Sequence, residues 1–166
     1  MSGGLAFLLA EAGIRQLYAR YADAVWRKDG DSFADCFTED AVWKIAGQTV
    51  AGREEIRALF LASLEPSEKV MFWSGIPVLD IGEGTATGRT QVTELIKRKD
   101  GSSLRTLAIY YERFVEQQGV WRFQWHHFNM YYLGSPDLSG TYLEAMEYGA
   151  PPGLPGPDAP TPVPIR

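Results

Sequence analysis

The chain has 166 residues, 45% of them apolar and 22% charged, the content of one ordinary globular domain long enough to bury a core. A formal net charge of −5 argues against a sequence-independent hold on nucleic acid, which needs clustered Lys and Arg. The single cysteine, Cys36, excludes an internal disulfide and fits a reducing compartment. The apolar stretch Leu5–Ala10 follows no basic residue and is too short to span a bilayer, so no membrane association is expected and the expected location is the cytoplasm.

Ile14, Leu17, Tyr18, Tyr21 and Val25 recur at three- and four-residue spacing, which predicts a long first helix with one apolar face. Gly30 is expected to break it, and Asp31 to cap a short helix running through Phe33, Cys36 and Phe37. Ala41–Ala46 reads as a strand and Gln48–Gly52 as a brief return. Gly52 then opens a third helix, where Glu54 and Glu55 suit the positive end of the dipole. Ile56, Leu59, Phe60 and Ser63 are expected to face inward.

Beyond Pro66 the apolar period changes to two. Four strand-like runs follow, Lys69–Ile81, Thr85–Lys99, Ser103–Glu116 and Val120–Leu133, broken at Gly82–Gly84, Asp100–Gly101 and Gln118–Gly119. Helices first and a long antiparallel meander afterwards predict an α+β fold: three N-terminal helices packed on a strongly curved, mostly antiparallel sheet that closes into a cone. One domain is expected over residues 1–148. From Gly149 to Arg166, seven of eighteen residues are Pro and three are Gly, a tail that favours extended polyproline conformation. Trp125 or its neighbours would give the outer sheet face an apolar patch. That patch predicts a homodimer through the sheet, with the tail along the partner.

The run from Leu17 to Val42, with Phe37–Val42, Gly52–Glu55 and Gly119–Phe123 in the same order and spacing, resembles the SnoaL-like branch of the nuclear transport factor two-like superfamily, which has the cystatin-like fold. The branch includes scytalone dehydratase, bile-acid dehydratase, hexachlorocyclohexane dehydrochlorinase and polyketide cyclase-like proteins. The resemblance implies a small cone that holds a hydrophobic cyclic ligand. It also implies an Asp–His dyad, but Trp26 stands at the Asp position and Met71 or Phe72 at that of the His. Tyr21 falls where ketosteroid isomerases and bile-acid dehydratases have a functional Tyr. Tyr110 falls where ketosteroid isomerases have the Asp of the oxyanion hole, and Ile45 stands near the place of their general base. A one-residue slip would put Tyr111 in place of Tyr110.

A phenol with a pKa of about 10 donates a hydrogen bond at neutral pH, so Tyr21 and Tyr110 could together stabilise an enolate. The base has two candidates. His126 and His127 are adjacent in the last strand and face opposite sides; the resemblance places His126, Phe128 and Met130 toward the pocket and Trp125, His127 and Asn129 away from it. Glu94 shares strand parity with Thr90 and Val92, which map to pocket-lining places. It would be a base in an apolar cone or a salt-bridge partner of Arg89, Arg105 or Arg113. Asp23 reads as a solvated or ion-paired carboxylate. Trp26 either fills the cavity or, with Phe72, Phe128 and Trp73, forms a stacking wall. No spacing of His, Cys or carboxylates suggests a metal, and no Gly-rich loop suggests a phosphate, so no cofactor is expected.

Two functions fit these residues. One is a cofactor-free lyase or isomerase that abstracts a proton next to a carbonyl. The other is a non-catalytic binder or structural subunit, like the small subunits of ring-hydroxylating dioxygenases, with Trp26 partly filling the pocket.

Overall fold

The structure, a computed structural model, describes residues 2–142. The expected domain end at 148 and the Pro-rich tail lie outside the described residues. Three helices, α1 (Ser2–Arg27), α2 (Gly30–Ala34) and α3 (Arg53–Leu64), accompany eight strands. The strands are β1 (Phe37–Ile45), β2 (Gln48–Ala51), β3 (Ser67–Ser74), β4 (Val78–Ile81), β5 (Thr85–Arg98), β6 (Ser103–Gln117), β7 (Val120–Gly134) and β8 (Thr141–Tyr142).

The apolar face of α1 is the expected one, with Ile14, Leu17, Tyr18, Tyr21 and Val25 all buried. Its end is not set by Gly30. Lys28 takes the left-handed conformation at φ 54°, and its amine donates to the backbone carbonyls of Ser67 and Glu68 at the start of β3. Gly30 opens α2, where a Cβ would stand 3.0 Å from the Leu61 side chain. The cap is Asp29 rather than Asp31: its Oδ1 accepts from Ser32 N at 3.0 Å, while Asp31 pairs with Arg57. α2 stops at Ala34, so Phe37 already belongs to β1. Phe60 of α3 stacks on Phe33 with ring centroids 3.7 Å apart, which turns Ile56 and Phe60 inward. Ser63, expected inside, is exposed and donates to Phe60 O.

The sheet order is β2-β1-β7-β6-β5-β3, with β4 on β5 and β8 on β7. The β1–β7 pair is parallel and the other pairs are antiparallel, so the sheet is mixed and mostly antiparallel. The expected run Lys69–Ile81 is two strands. Ser74 pairs with Val92 and Val78 with Arg89, with Gly75–Pro77 crossing between them, since Pro77 has no N–H for a ladder. Gln118 and Gly119 both have positive φ, the geometry of a tight hairpin between β6 and β7. The Tyr21 ring lies 5.3 Å from Phe72 on β3 and 5.6 Å from Phe123 on β7. Those strands have two others between them, so the sheet curls around this one side chain.

A β-bulge at Gln124 sets which residues of β7 face inward. Phe114 pairs with Phe123 but Arg113 pairs with Trp125, so Gln124 is the extra residue. Strict alternation from Phe123 would turn Trp125 and His127 inward; the bulge turns His126 inward instead. Trp125 joins Ile109 and Tyr111 on the outer face, with Val42 and Tyr131 packed against them. Trp125 is only 9% exposed in the single chain, so it does not form the open apolar patch expected from the sequence.

Candidate functional site

Long apolar strands and an amphipathic α1 bring a few polar side chains into an otherwise aromatic interior. Glu112 on β6 and His126 on β7 are cross-strand partners, with Nδ1 and Oε1 3.0 Å apart and both side chains wholly enclosed. The contact is close but bent away from a linear N–H···O line. The other Glu112 oxygen accepts from the Tyr18 hydroxyl of α1, and Thr90 Oγ1 stands 3.4 Å from it. Tyr18 and Thr90 hydroxyls are 2.6 Å apart. Beside this group the Tyr21 and Tyr110 hydroxyls are 2.9 Å apart.

Aromatic rings surround the imidazole. Tyr110 lies over it at 3.9 Å, Phe123 at 4.5 Å, Tyr21 at 5.4 Å and Phe37 at 5.6 Å. Burial lowers the His126 pKa, and neighbouring Glu112 opposes that shift without reversing it. The ring is therefore neutral at pH 7 and can accept a proton. Burial raises the phenols of Tyr18, Tyr21 and Tyr110 well above their usual range, so all three remain donors.

Of the residues expected at the site, Tyr21, Tyr110 and His126 come together, and Phe72, Thr90, Val92 and Phe128 are buried on the same inner face. Met130 packs against this core, and Tyr111 is on the other face. Glu94 faces inward but accepts from Thr106 Oγ1 at 2.8 Å, with no Arg partner among the described residues. Burial raises its pKa. Asp23 is exposed and paired with Arg27, as its position on the helix suggests. His127 lies on the outer face near Trp125, its pKa pushed down to about 4, chiefly by burial.

Trp26 is 49% exposed and fills no interior space. Its Nε1 donates to Phe72 O at 3.0 Å and its ring meets Trp73 edge-on, so the indole sits at the rim between α1 and β3. An indole with a polar N–H prefers such a boundary to a closed apolar interior.

Sequence reasoning missed Glu112 and the inward hydroxyl of Tyr18. The signal for Glu112 was present: it shares the parity of Tyr110 and Phe114, and an acid at the inward register of a long strand needs a buried partner. Among the described residues no group of His, Cys, Asp and Glu is arranged to hold a metal ion, and no helix is long and apolar enough to cross a membrane.

A groove of about 320 Å³ opens where α1 passes the β3–β4 connection. Tyr18, Ala19 and Ala22 form one wall, Trp73 and Ile76 the other, and Arg15 stands at the end.

Several solved structures share this architecture. A hexachlorocyclohexane dehydrochlorinase (LinA, type 2) superposes with a TM-score of 0.72 at 24% identity, covering 91% of this chain and 99% of its own. A protein from Novosphingobium aromaticivorans, provisionally named a scytalone dehydratase, gives a TM-score of 0.74 at 15% identity, covering 94% and 99%. A second protein from that organism, provisionally named an aromatic ring hydroxylase, gives 0.69 at 25% identity, covering 76% and 94%. No curated protein matches the chain. Residues 6–126, from the first turns of α1 to the inward histidine of β7, match the SnoaL-like domain, and the chain belongs to that family within the nuclear transport factor two-like superfamily.

Proposed function

We propose that the protein is a cofactor-independent lyase or isomerase that moves a proton next to a carbonyl in a small, cyclic, hydrophobic compound. The observation that carries this reading is the buried pair of Glu112 and His126 beside the joined hydroxyls of Tyr21 and Tyr110. The Glu112 carboxyl beside Nδ1 favours the tautomer with its proton on that nitrogen, which leaves Nε2 as the acceptor. In the proposed step Nε2 takes a proton from the carbon next to the carbonyl. The electron pair of that C–H bond moves onto the carbonyl oxygen, where Tyr21, supported by Tyr110, donates to it. The imidazolium then returns the proton to another carbon in an isomerisation, or to a departing hydroxyl in an elimination. Glu94 is the alternative base, one strand further along the inner face.

The test is deuterium exchange at the α-carbon of a panel of cyclic ketones and hydroxy-ketones in heavy water. The reading requires exchange that is lost in His126→Gln; binding without exchange in the unaltered protein overturns it. The full enclosure of Glu112 and His126 favours a second reading, in which the pair belongs to the packed interior and the protein binds a ligand without converting it or serves as a structural subunit. A homodimer through the sheet face also belongs to the proposal, on the aromatic character of that face, where Ile109, Tyr111 and Trp125 cluster. Light scattering at micromolar concentration should give twice the chain mass, and a monomer mass would remove it.

A further inference from the structure

The groove beside α1 is separate from the closed interior but shares one residue with it. Tyr18 lines the groove, and its hydroxyl reaches Glu112 on the inner side. The surroundings are apolar on two sides. Ala19 and Ala22 keep the helix surface low, and opposite them Trp73 and Ile76 are 45% and 84% exposed. Large apolar side chains left this open along one side of a concave surface, facing a helix surface of alanines, mark a binding site for something apolar. At about 320 Å³ the space suits a one- or two-ring molecule rather than a peptide.

Arg15 supplies the polar information. Its guanidinium makes no ion pair and no hydrogen bond among the described residues, whereas Arg20, Arg27, Arg57 and Arg122 all pair with aspartates. A guanidinium at the end of an apolar slot is matched by a planar anion, above all a carboxylate that can take two of its N–H groups. We infer that the groove binds a flat aromatic or cyclic carboxylic acid, with its rings between Ala19 and Trp73 over Tyr18 and its carboxylate on Arg15. The groove lining includes neither His126 nor Tyr21, so binding there stands apart from the proton-transfer reading of the interior.

The probes are 2-naphthoate and its methyl ester, titrated calorimetrically against the full chain. The acid should bind with one site, and Arg15→Gln should weaken it roughly three- to tenfold while leaving the ester unchanged. Ala19→Trp, at an exposed helix position that tolerates bulk, should abolish binding of both with the circular dichroism spectrum unaltered. His126→Gln should leave both affinities as they are. No binding by the unaltered protein, an equal loss of acid and ester in Arg15→Gln, or undiminished binding in Ala19→Trp each overturns the inference. Arg15-dependent binding of 2-naphthoate with no α-proton exchange in the ketone panel leaves the groove standing and removes the proton-transfer reading alone.

Discussion

Glu112 and His126 face each other across β6 and β7, Nδ1 3.0 Å from Oε1, with neither side chain reached by solvent. A carboxyl beside an imidazole lowers the cost of burying each, and the Tyr18 hydroxyl satisfies the other Glu112 oxygen. Their coupling gives the site its pH behaviour.

If His126 is the base, it must be neutral to act. Burial lowers its pKa from 6.5, so kcat/KM should rise with pH to a plateau whose midpoint lies below that value. Glu112 works against this shift, so Glu112→Gln should move the midpoint further down. An unmoved midpoint in Glu112→Gln would show that His126 does not control the limb.

Replacing Glu112 with Ala leaves the Tyr18 hydroxyl to Thr90 alone and takes the carboxyl from beside the enclosed His126 ring, opening a cavity between them. Stability should fall by about 2–4 kcal/mol, read from urea unfolding. A loss below about 0.5 kcal/mol, the range of an ordinary surface substitution, would mean that water reaches these groups.

The outer-face His127 makes a prediction about stability rather than turnover. Its pKa falls from 6.5 in the unfolded chain to about 4 in the fold, so below pH 6.5 the unfolded state binds the extra proton. Folding stability should therefore be full above pH 6.5 and decline as pH falls toward 4. His126 adds a decline of the same sign. Thermal melts between pH 7.5 and 4.5 should show the slope reduced in His127→Gln, and an identical slope would contradict it.

Tyr21→Phe removes one hydroxyl and keeps the ring that packs against Phe33, Phe72 and Phe123. The proposed donor role predicts a fall in kcat of roughly one to three orders of magnitude with little change in KM. A change in KM alone would make Tyr21 a wall of the site and leave the oxygen to Tyr110.

Much of the fold was legible because its signals are local. Ile14, Leu17, Tyr21 and Val25 announce one helix face by spacing, and Asp100–Gly101 and Gln118–Gly119 announce hairpins by the conformations they allow. The misplaced elements were those whose ends depend on distant partners. Lys28, at the end of α1, holds the carbonyls that begin β3, and Asp29 is the cap because α2 begins at Gly30, which puts Asp31 inside the first turn, where it pairs with Arg57 of α3. Trp26 could not be placed for the same reason, since its rim position depends on Phe72 O and the Trp73 ring across the gap to β3.

The sequence by itself determined that helices precede a long meander, that Tyr21 lies on the apolar face of the first helix, and that a histidine stands in the last long strand. Period and turn chemistry are properties of neighbouring residues, and they survive without knowledge of the fold. Only the tertiary structure decided what His126 meets. The extra residue at Gln124 in the β6–β7 ladder reverses the alternation begun by Phe123, and that reversal turns His126 rather than His127 toward Glu112. A bulge is a mismatch between two strands, so its position depends on the pairing of both and cannot be read from either one alone.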